Sequence, residues 1–371
     1  MTQQPAGILP AQTINSLIET GKITLDAPLK RHQVQPASLD LRLGTRAYRV
    51  RASFLPGQRE PVQKKLGDFS LHEIDLTQSA VLETGCVYIV PLQEALSLPQ
   101  DIAASANPKS STGRLDVFTR VIADGVSAFD QIPAGYHGPL YAEICPQTFP
   151  IVVRTGSTLS QIRFRRGNPA ETDEGLRALH ERETLVSGGA KIDISSGGIA
   201  LSVDLSPNAA GAVANQGLIG YRAKRNTGLV DVDAPGSCRI ADYWEPITLE
   251  GTSRRMILDP DQFYILASKE AVHVPPMYAA EMVPFNPLVG EFRVHYAGFM
   301  DPGFGHALAG GSGARVVLEV RSHKVPFILE DNQIIGRLIY ECVTERPEML
   351  YGDDLGSHYQ AQGLKLSKHF V

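Results

Sequence analysis

The sequence predicts a mainly β protein built as a tandem duplication of one domain, with a few short helices. Two observations carry this prediction. First, Pro and Gly recur about every ten residues between short apolar runs, which is typical of many short antiparallel strands. Pro36 to Gly44, for example, alternates apolar and polar residues and so predicts a half-buried strand. Second, the chain repeats itself, so the domain occurs twice.

The repeat keeps one constant shift across separated blocks. Val81-Leu82-Glu83 returns as Ile257-Leu258-Asp259, 176 positions later. The same shift takes Pro150-Ile151-Val152 to Pro326-Phe327-Ile328. Two unrelated hairpins of similar composition would not keep this register. The repeat therefore indicates two copies of one β-rich domain.

The repeat also sets the expected domain boundaries. We expect the first copy at residues 1–165, a linker at 166–216 and the second copy at 217–371. Thr13 to Thr20 predicts a short helix, and Glu171 to Glu183 predicts another within the linker. Leu229 to Asp233 alternates apolar and polar residues. We interpret it as the second copy's counterpart of Leu39 to Leu41.

Composition narrows the classes of function. A net charge of −5 gives no basic face for nucleic acid, so an anionic ligand needs a local cluster of cations. The N-terminus has no signal pattern, and no apolar run reaches about 18 residues, which predicts a cytoplasmic protein without a membrane span. The four cysteines are scattered and form no C-x-x-C pair. We interpret them as reduced thiols and not as a zinc site.

Lys109-Ser110-Ser111-Thr112-Gly113-Arg114 is the first candidate site. It places a cation, hydroxyls and a guanidinium directly after a proline, and these groups suit the oxygens of a polyanion. The G-x-x-x-x-G-K-[ST] spacing is missing, so a P-loop is not implied. An ordinary polar, solvated turn is the alternative interpretation.

Each copy also keeps a glutamate on a predicted strand, Glu143 in the first and Glu319 in the second. A carboxylate among apolar neighbours is costly unless paired, and such a group is a candidate general base. The alternative is a structural ion pair between domains.

Further candidates lie in the second copy. Ala297 to Gly305 predicts a tight turn that exposes backbone beside Asp301 and includes Gly303. Tyr351 begins a polar and aromatic tail that includes His358 and Gln362. Such a tail is suited to closing over a base or a ribose.

Together these residues resemble the dCTP deaminase branch of the dUTPase-like superfamily. Ser38 to Gly44 resembles an early strand motif of that family, and Lys109 to Arg114 resembles its S-S-x-x-R motif preceded by a basic residue. Ala297 to Gly305 resembles its A-x-x-x-D-P-G-x-x-G nucleoside turn, with one residue fewer at its end. The strands around Glu319 and Glu143 resemble its catalytic strand. The Tyr351 tail resembles its closing segment, with a histidine where the family usually has lysine.

The resemblance implies a dUTPase-like β-clip fold, with active sites between neighbouring domains, and hydrolysis of dCTP to dUTP and ammonia. Glu319 would be the general base, with Ser110 and Arg114 as catalytic partners, in a site that the two copies complete together. The alternative is a site between first-copy domains of different chains, with Glu143 as the carboxylate. The expected substrate-binding residues are Lys109, Ser110, Ser111, Arg114, Ala297, Asp301, Gly303, Tyr351, His358 and Gln362. Zinc deaminases carry an H-x-E…P-C-x-x-C signature that this chain lacks, so we expect a zinc-free route, with Mg²⁺ arriving on the triphosphate.

The resemblance also leaves choices open. It implies a homo-oligomer, expected to be a trimer with six domains, and inhibition by dTTP. Ordinary members have one copy of the domain, so the duplication is a departure. A bifunctional dCTP deaminase and dUTP diphosphatase is one alternative function. A non-catalytic nucleotide-binding regulator is the other.

Overall fold

The computed structural model describes residues 5–57, 60–188, 192–206, 217–249, 254–284, 298–322, 324–352 and 363–371, together with the backbone of 292–295. The helices are α1 (Ala11–Glu19), α2 (Val62–Phe69), α3 (Ser110–Gly113), α4 (Asp173–Arg182) and α5 (Ile240–Tyr243). A 3-10 helix follows at Ala307–Ala309. In the described part of the chain, no helix has the length and apolarity needed to cross a bilayer.

Strands are the main regular structure of both copies. In the first copy they are β1 (Gly7–Ile8), β2 (Ile23–Leu25), β3 (Val34–Gln35), β4 (Ser38–Arg42), β5 (Arg46–Val50), β6 (Ser70–Asp75), β7 (Ala80–Leu82), β8 (Val87–Ser97), β9 (Ile102–Pro108), β10 (Val117–Ala123), β11 (Gln131–Ile132), β12 (His137–Pro146), β13 (Ile151–Val153) and β14 (Thr158–Arg166). Those that follow are β15 (Val186–Ser187), β16 (Ile194–Ser195), β17 (Gly198–Ser202), β18 (Leu218–Ala223), β19 (Val230–Asp231), β20 (Trp244–Thr248), β21 (Arg255–Leu258), β22 (Phe263–Val272), β23 (Tyr278–Pro284), β24 (Phe292–His295), β25 (Phe299–Met300), β26 (Ala314–Ser322), β27 (Phe327–Glu330) and β28 (Ile334–Cys342).

The sheets confirm the tandem duplication. One sheet of the first copy has the order β3-β4-β14-β9-β11, and the second copy repeats it as β16-β17-β28-β23-β25. The other sheet, β6-β5-β8-β12-β10 with β2 beside β8, returns as β20-β18-β22-β26-β24 with β15 beside β22. The small pair β7–β13 returns as β21–β27. The constant sequence shift therefore reflects one topology used twice.

Two expectations about the middle of the chain need correction. Part of the expected linker, 173–202, forms α4 and the strands β15 to β17, which join the sheets of the second copy. The predicted counterpart of Leu39 to Leu41 was wrong: Ile199 pairs with Leu338 as Leu39 pairs with Ile162. Val230 instead pairs in parallel with Ile151 of the first copy. Alternation of period two predicts a strand but not the sheet that the strand joins.

The two copies share hydrophobic packing. The larger core contains the apolar faces of the first copy's strands together with side chains from the second copy. Trp244, 1% exposed, lies with its ring centroid 5.4 Å from that of Phe149 and 5.6 Å from that of Phe370. Val317, two residues before Glu319 on β26, also belongs to this core. The packing thus places β26 of the second copy against the first.

Candidate active site

The Lys109–Arg114 segment forms a tight helical turn directly after β9. Pro108 ends that strand, and the Lys109 carbonyl accepts hydrogen bonds from the backbone N–H groups of Thr112 at 2.8 Å and Gly113 at 3.0 Å. The Arg114 N–H donates to the Ser110 carbonyl at 3.1 Å. This closure turns Arg114 inward, where its side chain is only 2% exposed.

Two ion pairs join this turn to β26 of the second copy. Arg114 Nε lies 3.9 Å from Glu319 Oε1, and both residues are buried. Two positions further along each segment, Asp116 forms an ion pair with Arg321, which also donates to Thr148 Oγ1 at 2.9 Å. The order of charges is opposite in the two segments, so a sliding of the turn along the strand would set like charges against each other. The pairs therefore fix the position of Arg114 relative to Glu319.

The environment of Glu319 favours its protonated form. Burial raises the pKa of Glu319 from its usual 4.5 to about 8, and the Asp116 carboxylate adds to the rise. The Arg114 guanidinium opposes the rise by stabilising the charged form. A carboxyl with a pKa in this range can both accept and return a proton near neutral pH.

A second group of charges lies beside the first. Lys109 forms an ion pair with Asp40 on β4 and donates to Thr158 Oγ1 at 3.2 Å. Asp301 pairs with Arg163 on β14 at 3.2 Å and is buried. Burial raises the pKa of Asp301, Arg163 lowers it, and the nearby Asp40 carboxylate raises it further. Asp40 therefore pairs with Lys109 of the first copy and lies close enough to Asp301 of the second for the two carboxylates to repel each other.

The glycine turn of the second copy is closed by Tyr351. Gly303 has a φ of +96°, and a Cβ there would lie 2.9 Å from Leu350 Cβ and 3.0 Å from the Tyr351 nitrogen, so only glycine fits. The Tyr351 N–H donates to the Pro302 carbonyl at 2.8 Å. The Tyr351 and Phe304 ring centroids are 5.4 Å apart. The structure thus brings together three of the predicted residues, Asp301, Gly303 and Tyr351, around one turn.

Comparison with known proteins matches both halves of the chain. The family model of the 2'-deoxycytidine 5'-triphosphate deaminase N-terminal domain matches residues 5–168, and that of the C-terminal domain matches residues 172–370. The chain belongs to the dCTP deaminase family. A crystal structure of 2'-deoxycytidine 5'-triphosphate deaminase from Agrobacterium tumefaciens is 60% identical, with a TM-score of 0.85, over 92% of this chain and 99% of that one.

Shorter dCTP deaminases match about half of the chain. Proteins named "dCTP deaminase, dUMP-forming" from Beutenbergia cavernae and Thermobifida fusca are 31% and 30% identical. They match over 46% and 47% of this chain and 86% of their own lengths. The match of a nearly full-length relative to half of this chain agrees with the duplication of the domain.

Within this dCTP deaminase fold, the two candidate glutamates have different partners. Arg120, on the neighbouring strand, places Nη2 2.5 Å and Nε 3.1 Å from Glu143 Oε1. The Arg120 guanidinium also lies 3.4 Å from the centroid of the Phe129 ring. In the second copy, the residue opposite Glu319 is His295. Glu143 thus pairs with an arginine of its own copy. Glu319 faces Arg114 across the two copies, where the sequence left open a structural ion pair between domains.

Several residues at this site were not singled out from the sequence. Arg163 and Asp116 are charged residues on or beside strands, and only their long-range partners reveal them. The last residues of the chain also reach the turn, because Ser367 donates to the Ser111 carbonyl at 2.8 Å. The sequence offered one signal for this contact, the apolar residues Leu364, Leu366 and Phe370, which indicate that the end segment packs against the protein. Ala297, His358 and Gln362 lie outside the described residues.

Proposed function

We propose that the chain catalyses the hydrolytic deamination of dCTP to dUTP and ammonia, with Glu319 as the general base. The observation that carries the proposal is the buried approach of Arg114 to Glu319 across the two copies, 3.9 Å between Nε and Oε1. The family to which the chain belongs supports the reaction. The pKa of Glu319, raised to about 8 by burial, supports the role of the glutamate.

In the proposed reaction, water adds to C4 of the cytosine ring. The Glu319 carboxylate takes one proton from this water as its oxygen bonds to the ring carbon. The carboxyl passes this proton to the ring nitrogen, which leaves a hydroxyl on C4. The carboxylate then takes the proton of that hydroxyl and passes it to the amine, so that the C4–N bond breaks, ammonia departs and a carbonyl forms. Proton transfer by a positioned carboxyl contributes roughly 10²–10⁴-fold in rate. The remaining acceleration comes from positioning and from preorganised charge.

The neighbouring groups have supporting roles in this proposal. Ser110 holds the water or the developing oxygen, and Arg114 orients both the hydroxyl and the carboxylate. The route uses no protein-bound zinc, because Glu319 provides the proton transfer that metal-bound hydroxide provides in zinc deaminases.

Substrate binding is divided between the two copies. Lys109 and Ser111 are proposed to face the phosphates, which enter as the Mg²⁺ complex of the nucleotide, with the ion held mainly by phosphate oxygens and water. Asp301, Gly303 and Tyr351 are proposed to receive the nucleoside. The proposal further includes Ala297, His358 and Gln362, which lie outside the described residues.

A second candidate function is a bifunctional enzyme that also cleaves the product. The relatives from Beutenbergia cavernae and Thermobifida fusca are named as dUMP-forming, which favours this candidate. In it, water would also displace pyrophosphate at the α-phosphorus, so that dUMP, pyrophosphate and ammonia leave together. Ammonia without pyrophosphate would show deamination alone.

Three properties of the assembly and its regulation complete the proposal. We propose a homotrimer containing six domains, inhibition by dTTP and a cytoplasmic location. Sedimentation of the purified chain tests the trimer, and a dTTP titration of ammonia release tests the inhibition.

The test of the proposed function is ammonia release from Mg²⁺–dCTP. We expect the wild-type chain to release one ammonia per dCTP, and Glu319→Gln to bind dCTP without turnover, because the amide cannot accept the proton. A wild-type chain that binds dCTP but releases no ammonia would indicate a non-catalytic regulator instead. Full activity in a folded Glu319→Gln variant would remove this glutamate from the mechanism.

A further inference from the structure

The last eight residues, Leu364–Val371, form a segment that we call the terminal strap. Leu366 and Phe370 are buried in the larger hydrophobic core. The Cys238 N–H donates to the His369 carbonyl at 3.0 Å, and the Val371 N–H donates to the Cys238 carbonyl at 2.8 Å. Backbone bonds to Cys238 of the second copy and packing in the core that both copies share therefore hold the strap in one position.

The strap contacts the Ser110–Arg114 turn at two points. Arg114 Nη1 donates to the Lys365 carbonyl at 3.0 Å, and Ser367 Oγ donates to the Ser111 carbonyl at 2.8 Å. Ser367 is 1% exposed and Arg114 is 2% exposed, so bulk water does not compete for these bonds. The guanidinium that faces Glu319 is thus held on its other side by the strap.

His369 extends this contact toward the second copy. The ring is 2% exposed, with Nδ1 2.9 Å from Ser367 Oγ and Nε2 3.0 Å from the Val232 carbonyl oxygen. A hydroxyl held between an imidazole and a carbonyl has little rotational freedom. The Ser367 hydroxyl has one proton, so when Oγ donates it to the Ser111 carbonyl it accepts from His369 Nδ1–H.

Apolar packing does not account for Ser367. Leu366 and Phe370 explain why the strap is buried, but a small apolar residue would fill the Ser367 position without a hydroxyl that needs partners. The hydroxyl is directed at the backbone of the turn that carries Ser110 and Arg114. This arrangement indicates a role at the site beyond filling the core.

We propose that Ser367 is a positioning residue of the active site, which fixes the Ser110–Arg114 turn so that Arg114 meets Glu319. This inference rests on the proposed function. When Ser367 loses its hydroxyl, the bond between strap and turn is lost. The Lys365 carbonyl, two residues away, then no longer holds the guanidinium in place. Displacements of about 1 Å at a catalytic group can reduce rates by up to a hundredfold.

The test compares Ser367→Ala with Ser237→Ala. Ser237 lies next to Cys238, which pairs with the strap, and its Oγ also donates to a carbonyl at 2.8 Å, that of Ala234. This bond lies outside the Ser110–Arg114 turn. We expect Ser367→Ala to lower kcat for dCTP roughly tenfold to a hundredfold with a smaller change in KM. Ser237→Ala keeps kcat within about twofold of the wild type, since exposed single bonds contribute little. Melting temperatures are measured for both variants.

The pH dependence of kcat/KM separates positioning from a general loss of structure. The acidic limb of the profile is the range in which activity falls as Glu319 becomes protonated. If Arg114 moves away, the pKa of Glu319 rises, so this limb shifts to higher pH in Ser367→Ala and stays in place in Ser237→Ala. A limb at the wild-type pH in Ser367→Ala, whatever its kcat or melting temperature, would overturn the proposal. Ser367→Thr keeps the hydroxyl, and a wild-type limb in that variant further supports it. An active wild type with an unshifted Ser367→Ala refutes only this inference, whereas an inactive wild type refutes the proposed function.

Discussion

Replacing Arg114 by glutamine tests the electrostatic coupling at the centre of the site. The guanidinium lies 3.9 Å from the Glu319 carboxylate and stabilises its charged form. Without that charge, burial and the Asp116 carboxylate raise the pKa of Glu319 above its present value of about 8. A general base must be ionised to accept a proton, so activity is lost as pH falls through this pKa. The acidic limb of the activity profile therefore moves to higher pH in the variant.

The size of the shift follows from the distance. Two unit charges separated by 3.9 Å interact by about 4 kcal/mol at an effective dielectric constant of about 20. One pH unit corresponds to about 1.4 kcal/mol, so the full loss would move the limb by up to about 3 units. Water entering the vacated space reduces this figure, and we expect a shift of about 1–2 units. The plateau rate falls as well, by roughly 10²–10³-fold, because a preorganised donor is removed.

The assay is ammonia release from Mg²⁺–dCTP, with kcat/KM measured from pH 6 to about pH 10, a range that covers the titration of the free enzyme. Arg114→Lys keeps the charge, so its limb stays near the wild-type pH while its plateau falls. Arg120→Gln is the matched control, because Arg120 pairs with Glu143 and not with Glu319. An unshifted limb in Arg114→Gln would refute the reasoning, since the titrating group would then not be a carboxylate beside Arg114.

Three further predictions concern the neighbouring groups. Glu143→Gln keeps turnover near the wild-type value because Arg120 occupies its carboxylate; a folded but inactive Glu143→Gln beside an active Glu319→Gln would show that the site is placed in the wrong copy. Lys368→Gln raises KM for dCTP roughly threefold to tenfold in steady-state kinetics, because Lys368 is near enough to Lys109 for their like charges to repel and a triphosphate bound by Lys109 would attract both; an unchanged KM would place Lys368 outside the phosphate site. Phe370→Ala lowers the free energy of unfolding by about 3–5 kcal/mol in a denaturant titration, since a buried aromatic ring is lost; a loss below about 1 kcal/mol would contradict its place in the core.

The sequence predicted the parts of the fold that repeat. Because the second copy keeps the first copy's strands at a constant shift, the sheets around Glu143 and Glu319 could be assigned to equivalent positions. The helix predicted at Thr13 to Thr20 is found at Ala11–Glu19, since its apolar face and the following glycine are local signals. The site residues from Lys109 to Arg114 were predicted from their side-chain chemistry.

The parts that were missed depend on contacts between distant segments. Val230 pairs with Ile151, and Arg321 with Asp116, across 79 and 205 positions of the chain. Neither local periodicity nor residue type specifies such partners. The role of the terminal strap was missed for the same reason, because its apolar residues indicate burial but not the surface against which they are buried.

The shared packing of the two copies has a consequence for how such a chain can change over time. Trp244 and Phe370 come from the second copy, yet they pack against Phe149 of the first. A gene exchange that replaced one half with that of a distant relative would bring together aromatic surfaces that had not been selected to fit. The duplicated halves are therefore expected to be inherited as one unit, and a change on one side of this aromatic cluster limits which changes the other side tolerates.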